Sequence, residues 1–253
     1  MAMTGVEVVW DDFSYDTRDR VEPLVNSAVD LAGEGLDYLG ILSDKTKELH
    51  VLDSQDGYLG GSASDDVKFN VYLPDNHAHI KIKFPLITLI TVHEYAHSKR
   101  FEHEPNQWSR LLIKNLVATE GIAMWGEYTI AQELLSPRER CWEYPNNIVG
   151  KYFQPQPAKA KQLFEQLETD TLVAGQIIDE SPDLAVASKI LKKQLRDKWT
   201  TSKLPKEEVS DVCILGQQAV GGMLRQGASL VDIMAMPAEQ IINDGIAYDQ
   251  AAT

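Results

Sequence analysis

The chain has 253 residues, of which 43% are hydrophobic, enough to build one large core or two smaller ones. It carries 24 basic and 38 acidic residues, so its formal net charge is -14, and a surface this acidic repels phosphate backbones. We therefore expect neither nucleic acid nor an anionic membrane as a partner. No apolar run in the sequence approaches the roughly 20 residues that a membrane helix needs.

The opening segment MAMTGVEVVWDD (1–12) lacks the basic start and the continuous apolar core of a signal peptide. The two cysteines, Cys141 and Cys213, stand far apart in different sequence contexts, as is typical of packing residues in a reduced protein. These features predict a cytoplasmic protein, and they leave its oligomeric state open.

The N-terminal part of the chain alternates between strand-like and helical patterns. We predict strands over 6–10, 47–54 and 67–73, a helix over 17–36, and a turn-rich loop over 56–66. In 67–73 apolar and polar residues alternate, which indicates a half-buried or edge strand. A helix that begins at Pro85 should run to about Glu102, and a second helix should cover 107–134.

Four prolines lie between Leu135 and Pro157 and mark a candidate subdomain boundary. Beyond them, helical periodicity covers 158–169, 183–199, 207–227 and 238–244. The predicted fold is therefore one α+β domain over 1–253. A small N-terminal sheet would belong to a subdomain of about 1–135, and a mostly helical lobe would span about 136–253.

The segment TVHEYAHSKRFEH (91–103) places two histidines and a glutamate directly after the apolar run FPLITLI. On a helix, His93 and His97 lie one turn apart on the same face, about 6 Å from each other, which suits two imidazoles that bind one metal ion. Glu94 lies beside them, where its carboxylate can reach a water on the metal without being a ligand. This is the HExxH pattern of zinc hydrolases.

The surroundings of the motif argue against an accidental match, which occurs in about one chain in a hundred of this size. Apolar side chains cover nearly every side of this helix, so it should run through the interior of the protein. They are Leu86, Ile87, Leu89, Ile90, Val92 and Ala96. Three polar side chains in such a place need a common partner, and a metal ion supplies one.

A catalytic zinc needs a third protein ligand, and the sequence offers two candidates. Glu120 shares the apolar face of its helix, and the mid-helix Gly121 suggests that another backbone approaches closely. Two antiparallel helices joined by a short turn would bring Glu120 opposite the histidines. His103 stands at the offset of the metzincin pattern, but Arg100 occupies the position where that pattern needs glycine. We prefer Glu120.

The segments VHEYAHSKRF and ATEGIAMWGEY together resemble the gluzincin-type sequences catalogued as domain of unknown function 2268, which are predicted zinc-dependent proteases. The resemblance is most specific over 91–128 and extends more weakly over 216–242. It implies a zincin-like fold, with His93, His97 and Glu120 as ligands of Zn2+ and Glu94 as the catalytic base.

The oxyanion-stabilising residue is not assigned by this resemblance. The closing helix of that family tends to carry a tyrosine beside its glycine, whereas this chain has Cys213, Gln217 and Gln218 nearby. Other conceivable donors are Tyr128, Tyr144, Tyr152, His77 and His79. Glu127 lies about 10 Å along the helix axis from Glu120, too far to bind the same ion but within reach as an outer partner of the site.

The sequence thus predicts a zinc metallopeptidase that acts on peptide or protein substrates, with the substrate extended along strand 67–73 by backbone pairing. Two alternatives stay open. The first alternative is a catalytically silent metal-binding or interaction domain. The second is a structural protein whose HExxH is accidental.

Overall fold

The computed structural model describes residues 6–11, 15–54, 60–63, 65–74, 84–104, 112–134, 156–200 and 210–251. It is an α+β protein with a small N-terminal sheet and a mostly helical remainder, as predicted. The chain divides into two compact units: unit 1 comprises residues 1–102 and 126–145, and unit 2 comprises residues 103–125 and 146–253. Nearly all of the predicted boundary segment, 135–157, lies outside the described residues.

The described strands and helices are each numbered in chain order. The strands are β1 (Val6–Asp11), β2 (Lys47–Ser54), β3 (Gly60–Ala63) and β4 (Lys68–Pro74). The longer helices are α1 (Tyr15–Tyr38), α2 (Phe84–His103), α3 (Ile113–Glu133), α4 (Pro157–Glu180), α7 (Asp211–Arg225) and α9 (Ala238–Ala251), and the shorter ones are α5 (Leu184–Leu191), α6 (Asp197–Thr200) and α8 (Leu230–Ala235). None of the helices in the described ranges is both long and apolar enough to span a membrane.

The sheet of unit 1 has the strand order β1-β2-β4-β3. β1, β2 and β4 are parallel, and β3 runs antiparallel to β4. The alternation predicted for 67–73 is confirmed, because Phe69, Val71 and Leu73 are buried on one face of the sheet. The alternative that 67–73 is an edge strand is wrong, because β4 pairs with β2 on one side and with β3 on the other. The loop predicted over 56–66 contains β3, which lies at an edge of the sheet formed by the described residues.

Helix α2 packs on the apolar face of this sheet. The Tyr95 ring meets the Phe69 ring of β4 edge to face, with the ring centroids 5.9 Å apart. The Tyr95 hydroxyl also accepts a hydrogen bond of 2.6 Å from the backbone N–H of Ser43. These contacts fix the rotation of α2 about its own axis, and therefore decide which of its residues face away from the sheet.

A buried ionic network ties the start of β2 to the last turn of α2. The Lys47 side chain is fully buried. Its ammonium makes three contacts, with Asp66 O at 2.6 Å, Ser98 Oγ at 3.2 Å and Glu102 Oε1 at 2.8 Å. Because an ammonium has three N–H groups, its hydrogen-bonding capacity is filled, which offsets much of the cost of burying the charge.

Low pH should lower the stability of unit 1, because it protonates Glu102. Burial by itself would raise the pKa of this carboxyl, but hydrogen bonds from Lys47, Lys99 and Ser43 outweigh burial and lower the pKa from 4.5 to about 2. A carboxyl whose pKa is lower in the folded than in the unfolded chain stabilises the fold at pH values above the pKa of the unfolded chain. That stabilisation, on the order of 2 kcal/mol, should be lost as the pH falls from about 4.5 towards 2.

Urea unfolding at pH 7 and at pH 3 measures this loss. Glu102→Gln should unfold at lower urea concentration at pH 7, because it leaves the Lys47 charge buried without its partner, and its stability should depend less on pH in this range. The same substitution at the exposed Glu34 is the matched control and should change neither result. An unchanged pH dependence in Glu102→Gln would show that other groups govern the acid response.

In unit 2 the N-terminal half of α3 crosses α7 at two glycines. A Cβ added to Gly121 would lie 2.9 Å from Gly216 Cα and still closer to the Gly216 carbonyl. The prediction that another backbone approaches Gly121 is thus confirmed. The Trp125 indole N–H donates a hydrogen bond of 2.9 Å to the Gln217 carbonyl one turn further along. This crossing fixes the N-terminal half of α3 within unit 2.

The remaining helices differ from the predicted ones mainly at their ends. α3 spans Ile113–Glu133, and the first part of the predicted helix 107–134, residues 107–111, lies outside the described part of the chain. α4 continues to Glu180, well beyond the predicted 169. The predicted helix 183–199 is present as α5 and α6, joined by a π-helical stretch over Lys192–Arg196. α8 has no counterpart in the sequence-based prediction.

Candidate metal centre

Helix α2 is apolar on nearly every side, and the structure buries it accordingly. Ile87, Leu89, Val92 and Ala96 are at most 1% exposed, so the prediction that this helix runs through the interior is confirmed. The hydroxyl of the buried Thr91 donates a hydrogen bond of 2.8 Å to the carbonyl of Ile87 one turn earlier. The buried hydroxyl of Thr91 is therefore hydrogen-bonded within α2 itself.

The two histidines of HExxH lie against each other on one face of α2. Their Nε2 atoms are 2.9 Å apart and their ring centroids 4.6 Å apart. His97 is 8% exposed, and the His93 side chain is about one-fifth exposed. Two nitrogen lone pairs at this distance repel each other unless a proton or a cation lies between them.

Glu120 is the third member of the group. Among the described residues, the side chains of His, Cys, Asp and Glu that could hold a metal ion together are those of His93, His97 and Glu120. One ligand atom from each lies within 4.8 Å of the other two. The possible metal-binding triad therefore consists of the residues that the sequence analysis preferred.

The donor set fits zinc. Two imidazole nitrogens and a carboxylate oxygen form one of the ligand sets of catalytic zinc sites, which keep a fourth position for water or substrate. Bonds of roughly 2.1 Å in tetrahedral geometry place ligand atoms about 3.4 Å apart, so small side-chain rotations would bring the three groups into range. His93, His97 and Glu120 would hold the ion.

Glu127 orients the first histidine. The Nδ1 atom of His93 lies 2.9 Å from Glu127 Oε2, so Nδ1–H donates to the carboxylate and the lone pair of Nε2 stays available. Glu127 is seven residues after Glu120 in α3, at the position that the sequence analysis considered for an outer partner. A carboxylate behind a ligating histidine fixes the tautomer and raises the basicity of the metal-binding nitrogen.

Replacing Glu127 by Ala should weaken zinc binding by roughly 10- to 100-fold, because His93 loses the acceptor that fixes its tautomer and ring orientation. Competition with a chromophoric chelator measures this change. The exposed Glu133 of the same helix gives a matched control, since Glu133→Ala should leave the affinity unchanged. Equal affinities for both variants would mean that the His93–Glu127 contact plays no part in binding.

Glu94 lies beside the histidine pair and is 7% exposed. Its side chain is covered by the backbone of β3 at Gly61, since a Cβ added there would lie 2.8 Å from Glu94 Oε1. The backbone of β3 therefore bounds this carboxylate on one side. The segment around Gly61 was predicted to be a loop, and the sequence contains no periodic pattern that assigns it to the site.

The other candidates from the sequence fall outside the triad or outside the described residues. His103 is exposed at the last position of α2, and the metal-binding group among the described residues does not include it. Tyr128 is half-buried in α3. Tyr144, Tyr152, His77, His79 and Cys141 lie outside the described residues, and Cys213 is half-buried in the first turn of α7, where its Sγ accepts a hydrogen bond from the Ser210 hydroxyl.

The fold and the site define an α+β protein with a possible His-His-Glu metal-binding triad on two helices. Comparisons with protein-family models, with curated proteins and with solved structures each found no match.

Proposed function

We propose that this protein is a zinc-dependent metallopeptidase with a zincin-like fold. The observation that supports the proposal is the convergence of His93, His97 and Glu120, with Glu94 next to the first histidine in HExxH. The resemblance of 91–128 to the gluzincin-type family points to the same chemistry.

Zinc bound at this site would lower the pKa of water towards 7 and polarise the scissile carbonyl. Glu94 then has the role of general base, in which its carboxylate takes a proton from the attacking water and later passes it to the leaving amine. Its low exposure keeps bulk water away from the carboxylate. Glu127 keeps His93 in the tautomer that presents Nε2 to the ion.

The substrate should pair with β3 rather than with β4. The strand predicted for this purpose, 67–73, is β4, and both of its sides are paired within the sheet. Among the described strands β3 lies at an edge, and it passes directly beside Glu94 at Gly61. An extended peptide that adds to this edge would be held by its backbone, so the demand on its side chains would be low.

One observation favours a second candidate function, a metal-binding domain without peptidase activity. Glu94 and His97 are both less than one-tenth exposed. A site this well covered suits an ion that is retained permanently, and no oxyanion donor is assigned.

The experiment that tests the proposal begins with the full chain, purified without chelators and analysed for metal content. We expect about one zinc per chain and hydrolysis of a mixed peptide library that stops with chelator and returns with zinc. Stoichiometric zinc without turnover on any peptide would favour the metal-binding domain. No bound metal, and no uptake of added zinc, would overturn both candidates.

A further inference from the structure

The edge strand β3 presents Gly61 to the face of the sheet that carries α2. Gly61 pairs with Val71 of β4 across the antiparallel ladder. Residues directly opposite each other in such a ladder point to the same face, and Val71 is buried. A side chain at position 61 would therefore point towards α2.

Glu94 occupies the space that such a side chain would need. A Cβ on Gly61 would lie 2.8 Å from Glu94 Oε1 and 2.9 Å from Cδ, and still closer to Cγ. All three distances are shorter than carbon contacts in folded proteins. The backbone of β3 thus lies directly on the glutamate side chain and limits its rotation.

The contact differs in kind from the glycine contacts at the crossing of α3 and α7. At Gly121 and Gly216 the neighbouring atoms belong to backbone, so an added Cβ would have to push two helices apart. At Gly61 the three nearest atoms belong to the side chain of Glu94, which can move away from β3 by changing rotamer. A substitution at Gly61 should therefore displace Glu94 and leave the fold in place.

We propose that Gly61 is a positioning residue that, by having no side chain, lets β3 hold the carboxylate of Glu94 in its catalytic orientation. The inference rests on the proposed function, because it assigns Gly61 its role through the general base. A displacement of about 1 Å from the reactive geometry costs on the order of 100-fold in rate.

The kinetic test is Gly61→Ala in the zinc-loaded full chain. We expect kcat to fall about 100-fold, with KM and zinc content nearly unchanged, because the base moves while the metal ligands stay. Tyr72→Phe is the matched control. It removes the hydroxyl that contacts Ser62 of β3 on the opposite face of the sheet, and it should leave kcat unchanged. An unchanged kcat in Gly61→Ala would overturn the proposal.

A double-mutant cycle tests the contact without any activity assay. Gly61→Ala alone should lower the melting temperature by about 2–4 °C. In a Glu94→Ala background the three crowding atoms are absent, so the same substitution should cost much less. Equal losses in both backgrounds would show that Gly61 does not act through Glu94. This cycle remains decisive if the chain proves to hydrolyse no peptide, a result that would count against the proposed function alone.

Discussion

Glu94→Gln is expected to abolish the proposed peptide hydrolysis while the zinc content stays near one per chain. Glutamine has nearly the same shape as glutamate but cannot take a proton from water, so the general-base contribution of roughly 100- to 10,000-fold should disappear. Because the side chain is 7% exposed and covered by β3, the amide should occupy the same space as the carboxylate. Steady-state rates and elemental analysis of the same samples measure the two quantities together.

The control for this variant is Glu133→Gln, which makes the same chemical change at an exposed position of α3 and should retain full activity. Loss of zinc from Glu94→Gln would contradict the assignment, because it would make Glu94 a ligand of the ion. Retained hydrolysis together with retained zinc would mean that another group accepts the proton.

Glu120→Ala should reduce zinc affinity by more than about 100-fold, a greater loss than that expected at the outer residue Glu127. Two imidazoles one turn apart on α2 can still contact the ion, but the charged oxygen that completes the donor set is gone. Chelator competition measures the affinity. Circular dichroism of the metal-free variant verifies that the helices persist.

His103→Ala is the decisive comparison for this prediction. His103 is exposed at the end of α2 and lies outside the metal-binding group found among the described residues, so its removal should leave the affinity unchanged. The reverse pattern, with zinc lost from His103→Ala and kept by Glu120→Ala, would transfer the site to the metzincin-like arrangement.

The local part of the site could be predicted from the sequence because its geometry is helical. His93, Glu94 and His97 belong to one helix, and a period of 3.6 residues fixes their relative directions without reference to the rest of the chain. The burial of that helix could also be predicted from the sequence, since apolar residues cover nearly every side of the helix around the motif. Gly121 indicated a close backbone neighbour, and the Gly216 contact confirms it.

The strand that covers Glu94 could not be predicted in this way. β3 is four residues long and consists of Gly60, Gly61, Ser62 and Ala63, which carry no apolar alternation. Such a segment becomes a strand because its backbone forms hydrogen bonds with β4. That pairing exists only in the folded chain, so the local sequence does not predict it. For the same reason the sequence left open whether 67–73 is a half-buried or an edge strand, and the structure pairs β4 on both sides.

The sequence by itself determined the helix that carries HExxH, its burial, and the preference for Glu120 over His103 as its companion in a metal site. Only the tertiary structure decided that β3 lies on Glu94, that Glu127 supports His93, and that Lys47 is buried against Glu102. The physical reason is separation along the chain: these pairs are 33, 34 and 55 residues apart, as their numbers show. Helical periodicity fixes directions within one element, whereas contacts between elements depend on how those elements pack.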